Sequence, residues 1–335
     1  MAVKVGVVGL GMMGITHLDA YAQRGDVEVV ALADRDPSRL AGKEKAKGNI
    51  EGQARGGLDL PSAKRYTDAA ELIQDPDVEA VDICLPTPAH LPFGMMALEA
   101  GKHLLLEKPI ARTSSDAMKL VQAATASGKI VMPAMCMRFW PGWTWLKKAC
   151  DQQTYGKVLG ATFRRVASHP KAAFYASGQA SGGAALDLHI HDTDFIQFLF
   201  GQPKGVQSVG YSRPTDAVDH IVTRYEYDDI PLVVAEGSWA MADGFSFSMA
   251  FTVNFEHATA EFGAGEKPLT LYRDGKAEPV EIEPGMGYDY EIGYFIECVK
   301  SGRQPETVTM LDAANAVRIV EAEVESVNTG RPVSL

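Results

Sequence analysis

The sequence lacks the features that would place the chain in a membrane, on nucleic acid or in an oxidising compartment. None of its apolar runs approaches the roughly 18 residues of a membrane-spanning helix, and its valine-rich start carries turn glycines but no cleavage-type end. A formal charge of −11 at pH 7 disfavours nucleic acid. The four cysteines form no C-x-x-C pair, which disfavours a zinc knuckle or disulfide framework. We therefore expect a cytoplasmic protein without nucleic-acid or membrane partners.

The strongest positive signal lies in the first fourteen residues. Valines stand at positions 3, 5, 7 and 8, and a G-x-G-x-x-G pattern follows at 9–14. The first glycine permits a tight turn, the second lets backbone amides approach a pyrophosphate, and the third lets the next helix pack closely. A second apolar run ends at Asp34, twenty positions beyond Gly14, where a ribose-binding carboxylate is expected. The residues predicted here to bind a dinucleotide are Gly9, Gly11, Met12, Met13, Gly14, Asp34 and Arg35.

The order of strand-like and helix-like segments predicts two domains. Strand-like and helix-like segments alternate up to residue 133, which is typical of a parallel sheet with crossover helices. Beyond it, period-two segments predict one large, mostly antiparallel open sheet. We expect an α/β protein with a Rossmann dinucleotide-binding domain at 1–133 and an α+β domain for substrate binding and association at 134–335. The segment from Ala41 to Lys64 interrupts the alternation and is interpreted as a surface excursion of unknown role.

Two loops are expected at carboxyl ends of the parallel strands, where open sheets bind ligands. One follows the strand at 81–84, and the other contains Glu107-Lys108-Pro109. A lysine beside a positively charged nicotinamide would be a poised donor. A proline-stiffened turn and a surface lysine paired with Glu107 remain the structural alternatives. The residues added to the cofactor site on this ground are Leu85, Pro86, Thr87, His90, Glu107 and Lys108.

A third pattern, Asp187-x-x-x-His191, places a carboxylate beside an imidazole if the segment is helical. That arrangement suits a general base near neutral pH. The rival interpretation takes His189 and His191 as metal ligands. The terminal Gly201 and the following Pro203 indicate a helix, which separates the two histidines by roughly 200°. We therefore predict no metal site, and a purely structural histidine remains the other alternative.

In this order, the glycine turn, the loop that contains Thr87-Pro88, Glu107-Lys108-Pro109 and Asp187-x-x-x-His191 resemble the glucose-fructose oxidoreductase and inositol dehydrogenase family, Gfo/Idh/MocA. The resemblance covers nearly the whole chain. It implies an N-terminal domain that binds NAD or NADP and a C-terminal domain that holds a sugar or polyol and forms a homodimer or homotetramer. It also implies that Lys108 is the catalytic lysine and that Asp187 and His191 are the acid/base pair.

The segment after the first domain is rich in aromatic residues. Its likeness to the family's Met-Arg segment implies that Arg138 reaches the active site, and Trp140 and Trp143 could stack on a sugar face. Core packing is the alternative for the tryptophans. His169 is expected on the approach to the pocket. The residues predicted to contact substrate are Lys108, Arg138, Trp140, Trp143, His169, Asp187 and His191.

The sequence thus predicts an NAD(P)-dependent oxidoreductase that moves a hydride between a sugar, polyol or sugar derivative and nicotinamide. His191 would take the hydroxyl proton, Asp187 would orient it, and Lys108 would hydrogen-bond the same oxygen. NAD is favoured by Asp34, with NADP as an alternative because of the neighbouring arginines. Two other functions stay open, namely non-redox sugar chemistry with a tightly held NAD and a non-catalytic nucleotide-sensing regulator.

Overall fold

The computed structural model describes residues 2–42, 60–263 and 267–335, so most of the predicted excursion from Ala41 to Lys64 lies outside the described residues. The chain forms two compact units. The first comprises Met1–Cys136 and Met286–Ala314, and the second comprises Met137–Gly285 and Asn315–Leu335. None of the helices in the described ranges is long and apolar enough to cross a membrane.

Strands and helices alternate first, and strands then dominate. The strands are β1 (Val3–Val8), β2 (Val27–Ala33), β3 (Lys64–Tyr66), β4 (Ala80–Ile83), β5 (His103–Glu107), β6 (Val131–Ala134), β7 (Val158–Ser168), β8 (Gly205–Tyr211), β9 (His220–Glu226), β10 (Leu232–Met241), β11 (Ser248–Phe255), β12 (Thr259–Gly263), β13 (Lys267–Arg273), β14 (Lys276–Pro279) and β15 (Val333–Ser334). The helices are α1 (Met12–Ala22), α2 (Pro37–Leu40), α3 (Ala69–Gln74), α4 (His90–Glu99), α5 (Ser114–Ser127), α6 (Pro141–Asp151), α7 (Gly178–Ser181), α8 (Ile190–Phe200), α9 (Gly287–Ser301) and α10 (Met310–Thr329).

The first unit is built on a parallel sheet with the strand order β3-β2-β1-β4-β5-β6. Every residue of β4 and β6 is buried, as expected for strands covered on both faces. The strand order reverses between β1 and β4. Ligands of such sheets bind outside the carboxyl ends of the strands at this reversal. The predicted Rossmann domain is confirmed, and its glycine turn lies at the reversal point.

Helix α9 belongs to the first unit, whereas the sequence predicts a second domain that begins at residue 134 and includes it. It packs against α1 and β1. Lys300 near its end forms an ion pair with Asp26 at 2.9 Å. Because the segment 286–314 joins the first unit through tertiary packing, no local pattern marks its return, and a single cut in the sequence could not describe the units.

The second unit contains a nine-stranded sheet with the order β14-β13-β12-β11-β7-β10-β9-β8-β15. Among the described strand pairs, only β7 and β10 run parallel. Helix α8 packs on β7 and β10. Aromatic side chains fill the core beneath it, with Phe163, Phe195 and Phe251 all buried. The predicted large, mostly antiparallel sheet is confirmed.

Candidate active site

The glycine turn after β1 has the shape of a pyrophosphate cradle. Gly9 has a φ of +92°, and a Cβ there would lie 2.6 Å from the carbonyl oxygen of Cys84. A Cβ at Gly14 would collide with the Gly9 carbonyl oxygen, whereas one at Gly11 would meet nothing within 4 Å. No side chain of the described ranges caps the N-terminus of α1. The turn is therefore close-packed where it meets the protein and open where an anion would approach the helix.

Asp34 connects the end of β2 to this turn. Its Oδ2 accepts a hydrogen bond from the Leu10 amide at 2.8 Å, and its Oδ1 accepts one from the Asp36 amide at 2.8 Å. Each carboxylate oxygen has a further lone pair, so Asp34 can hold the turn and still accept ribose hydroxyls. Arg39 Nη1 lies 3.7 Å from Oδ2, and Arg35 is exposed. These residues fit the ribose of a dinucleotide.

His90 joins the two loops that were predicted to face the cofactor. It is buried at the start of α4, with Nδ1 2.7 Å from the Pro109 carbonyl oxygen and Nε2 2.6 Å from the Leu85 carbonyl oxygen. Burial lowers the pKa of His90, and the two carbonyl acceptors oppose that shift because they favour a doubly protonated ring. Both ring nitrogens are engaged within the protein, so His90 is not kept as a cofactor contact. It connects the loop after β4 to the loop after β5.

The remaining residues of the loop after β4 differ in accessibility. Pro86 is exposed and Leu85 is partly exposed, whereas Thr87 is buried at the start of a short 3₁₀ turn. Pro86 and Leu85 can therefore meet a ligand directly.

Glu107 turns into the first unit. Its carboxylate is buried, with Oε2 accepting the Lys108 amide at 2.9 Å and Oε1 lying 3.2 Å from His17 Nε2. Lys108 itself is partly exposed. That Glu107 binds the cofactor remains a prediction, because each carboxylate oxygen keeps a further lone pair beside its protein contact. The sequence did not reveal His17 as its partner, since the two residues lie on different elements.

The Asp187–His191 segment is a π turn followed by an α-helix. The π turn covers Ala185–His189, and α8 begins at the next residue. Asp187 and His191 are partly exposed, and the four-residue spacing keeps them on one side of the segment. His189 is buried, with Nε2 3.2 Å from the Tyr225 hydroxyl. The two histidines thus have different environments, because His189 is internal and His191 is partly exposed.

The Arg138 side chain lies in the interior of the second unit. Its Nε and Nη2 donate to the two carboxylate oxygens of Asp194 at 2.9 and 2.7 Å, and both side chains are buried. Its guanidinium carbon lies 4.6 Å from the centre of the Phe198 ring. We do not keep Arg138 as a substrate contact. It anchors α8 one turn beyond His191, and no local pattern in the sequence identifies Asp194 as its partner.

The tryptophans after β6 are core residues. Trp143 has no exposed surface and meets Phe251 and Phe262 edge-on, with ring centroids 5.2 and 4.9 Å apart. Trp140 is buried too. A ring that stacks on a sugar must be accessible, so neither is kept as a substrate contact. His169 is partly exposed, and its Nε2 lies 3.1 Å from the Tyr175 carbonyl oxygen.

A parallel sheet with a dinucleotide cradle at the reversal of its strand order defines the class of dinucleotide-binding Rossmann proteins. Two family models agree. Residues 3–135 match "Oxidoreductase family, NAD-binding Rossmann fold", and residues 143–261 match "GFO/IDH/MocA C-terminal domain". The chain belongs to the GFO/IDH/MocA oxidoreductase family, and its N-terminal domain is an NAD-binding Rossmann domain.

Curated relatives span nearly the whole chain. It is 28% identical over 341 residues to trans-1,2-dihydrobenzene-1,2-diol dehydrogenase of Bos taurus, covering 97% of this chain and 96% of that protein. It is 26% identical over 352 residues to myo-inositol 2-dehydrogenase of Thermotoga maritima, covering 99% and 98%. A levoglucosan dehydrogenase solved with NADH and levoglucosan has the same fold, with a TM-score of 0.85, 21% identity and coverage of 100% and 99%.

Proposed function

We propose that this protein oxidises a secondary alcohol of a sugar, polyol or related cyclic diol, with NAD as the hydride acceptor. The observation that carries the proposal is the Asp187–His191 pair, which is partly exposed while the neighbouring His189 is buried. The names of the relatives supply the substrate class, because they act on a dihydrodiol and on an inositol. The ligand in the levoglucosan dehydrogenase structure is a compact cyclic sugar derivative of the same kind.

The residues divide the work between proton transfer and charge stabilisation. His191 accepts the proton of the substrate hydroxyl, and the Asp187 carboxylate favours the imidazolium that forms. Lys108 donates a hydrogen bond to the substrate oxygen and stabilises the negative charge that develops there. When bound, NAD supplies the acceptor for the hydride. Asp34 accepts the ribose hydroxyls and disfavours a 2′-phosphate.

A substrate panel tests this proposal. The purified protein would be assayed with myo-inositol, levoglucosan, glucose and trans-1,2-dihydrobenzene-1,2-diol, each with NAD and with NADP, by following the absorbance of the reduced cofactor. We expect net reduction of NAD with at least one compound. Substrate consumed without net reduction indicates non-redox chemistry on a tightly held NAD. Binding of NAD without turnover of any compound indicates a nucleotide-sensing regulator.

A further inference from the structure

A buried hydrogen-bond network in the first unit lies behind Lys108. At its centre is His17 on α1, which has no exposed surface. Its Nδ1 lies 2.8 Å from Asp82 Oδ2, and its Nε2 lies 3.2 Å from Glu107 Oε1. The second oxygen of Glu107 accepts the backbone N–H of Lys108 at 2.9 Å. Hydrogen bonds join His17 to Asp82 and the Lys108 amide to Glu107, and the two halves meet where His17 Nε2 and Glu107 Oε1 lie in ion-pair contact without hydrogen-bond geometry.

The groups around His17 are in direct hydrogen-bond contact with one another. The Nδ1 of His17, a carboxylate oxygen of Asp82 and the sulfur of Cys84 lie within 4.8 Å of one another. His17 and Asp82 are, however, in direct hydrogen-bond contact, and Cys84 Sγ is 3.5 Å from the same Nδ1. At these distances the three atoms are in contact, with little space for a cation between them. The Tyr21 hydroxyl adds a further bond to Asp82 at 3.0 Å.

An imidazole between two carboxylates is stabilised in its doubly protonated form. Burial by itself would lower the pKa of His17, but Asp82, by charge and by hydrogen bond, raises it well above its usual value with help from Cys84. Glu107 faces the other ring nitrogen, and the Tyr288 ring centre lies 6.5 Å away. A cationic His17 therefore places its positive charge 3.2 Å from Glu107 Oε1, on the side of the ring away from Asp82.

We propose that His17 is a positioning residue for Lys108, acting through Glu107. The inference rests on the proposed function, in which the Lys108 ammonium meets the substrate oxygen. His17 orients the Glu107 carboxylate, which holds the amide of Lys108, while His90 holds the carbonyl of the next residue, Pro109. The backbone on both sides of the lysine is thereby fixed by buried histidines. Such fixing matters because a misplacement of about 1 Å can lower a rate by about 10².

Two substitutions separate positioning from folding. An asparagine amide at position 17 replaces the Nδ1 side that faces Asp82, whereas a glutamine amide replaces the Nε2 side that faces Glu107. In the holoenzyme, with the panel substrate that the wild type turns over best, we expect His17→Asn to lower kcat by about tenfold or more, with KM and the Kd for NAD within about twofold. His17→Gln should recover most of the lost kcat.

The mechanism of the loss is checked by two further readouts. With substrate deuterated at the oxidised carbon, the isotope effect on kcat should rise in His17→Asn, because hydride transfer becomes rate-limiting. Labelling of Lys108 by an amine-reactive reagent, measured by peptide mass spectrometry relative to the exposed Lys119, should also change. A matched control is His103→Asn at the opposite end of β5, where Nδ1 accepts the Ile130 amide at 2.9 Å. It should behave like the wild type in both readouts.

The outcomes distinguish this inference from the proposed function. Wild-type kcat and unchanged Lys108 labelling in His17→Asn overturn the positioning role. Equal losses in the asparagine and glutamine variants, with an unchanged isotope effect and fewer NAD sites per chain, also overturn it, because they report only damaged folding. Failure of the proposed function looks different, since the wild type then turns over no panel compound. In that case the labelling of Lys108 still decides the positioning role.

Discussion

At the scale of single residues, the proposed chemistry depends on where the Lys108 ammonium group lies. Lys108 is partly exposed at the end of β5, and its backbone is held by Glu107 and, through Pro109, by His90. Lys108→Met keeps the length of the side chain and removes the charge. We expect turnover to fall on the order of 10² or more, because a transition-state contact is lost, with NAD affinity within a few-fold. Steady-state kinetics and NAD titration measure both quantities.

The control for this substitution is Lys119→Met. Lys119 is an exposed lysine on α5 whose ammonium pairs with Asp116 at 2.7 Å. Exposed ion pairs of this kind contribute about 0–1 kcal/mol, so the control should keep full activity. Near-normal turnover of Lys108→Met with an intact fold would remove the lysine from the mechanism.

Cofactor choice depends on Asp34. Its carboxylate is buried beside the glycine turn, and its charge repels a 2′-phosphate. We expect kcat/KM with NAD to exceed that with NADP by about tenfold or more, and Asp34→Ser to narrow this ratio. Asp36→Ser alters the neighbouring carboxylate, which caps α2, and should leave the ratio unchanged. Higher efficiency of the wild type with NADP contradicts the assignment.

The raised pKa of His17 links stability to pH. The folded state keeps a proton that the unfolded chain releases above the ordinary histidine pKa of about 6.5. The stabilisation from His17 is thus fully present below that pH and is lost as pH rises through the folded-state pKa. Denaturant titrations of the wild type and His17→Asn should show a difference in unfolding free energy that shrinks as pH increases above about 6.5. A constant difference contradicts the buried imidazolium.

At the scale of elements, the sequence predicted what local patterns determine. The glycine turn, the alternating strands of the first unit and the sheet of the second follow from periodicity and turn residues. The π turn at Ala185–His189 does not. Its last residue, His189, lies against Gly237 on β10, which is a contact between distant parts of the chain. A continuous α-helix was therefore the expectation from sequence.

The same limit applies to individual site residues. Arg138 and Trp143 were assigned to substrate because they follow the first domain and suit a sugar. Their actual partners, Asp194 and Phe251, are distant in sequence and decide that both side chains are internal. Asp187 and His191 remain in the candidate site because their spacing is local and the geometry of one segment determines it.

The contact between the π turn and β10 can be tested by substituting Gly237. A Cβ at Gly237 would lie 2.6 Å from both Cβ and Nδ1 of His189, so Gly237→Ala must push the segment away from the sheet. We expect a loss of about 1–3 kcal/mol in stability and a lower kcat, because Asp187 and His191 move with it. NAD binding, which belongs to the other unit, should not change. Thermal unfolding, kinetics and NAD titration measure the three effects.

A matched control lies on the adjacent strand. A Cβ at Gly160 of β7 would meet its nearest neighbour at 3.7 Å, which is ordinary contact. Gly160→Ala should therefore keep both stability and turnover. If Gly237→Ala unfolds and turns over like this control, the approach of β10 to the π turn has no role in placing the pair.

At the scale of the whole molecule, the nine-stranded sheet has a face turned away from α8. This face combines accessible apolar side chains with a polar network. Val209 and Tyr211 are 68% and 50% exposed, and Tyr211 stacks on His220 with ring centroids 5.0 Å apart. Arg164 and Glu236 form an ion pair at 2.9 Å. A broad face of this composition suits association with a second copy, since stable interfaces bury on the order of 1,000 Å² or more.

We therefore predict a closed homodimer, or a tetramer built from such dimers, that associates through this face. Thr252→Arg places a charge on the exposed side of β11, so that two copies meet with like charges, and light scattering should report a smaller assembly than the wild type. Met118→Arg adds the same charge on α5 of the first unit and should leave the assembly unchanged. Because the proposed catalytic residues come from one chain and lie outside this face, turnover per subunit should survive the loss of association. A wild-type protein that is monomeric at micromolar concentration contradicts the assembly and leaves the chemistry of Lys108, Asp187 and His191 untouched.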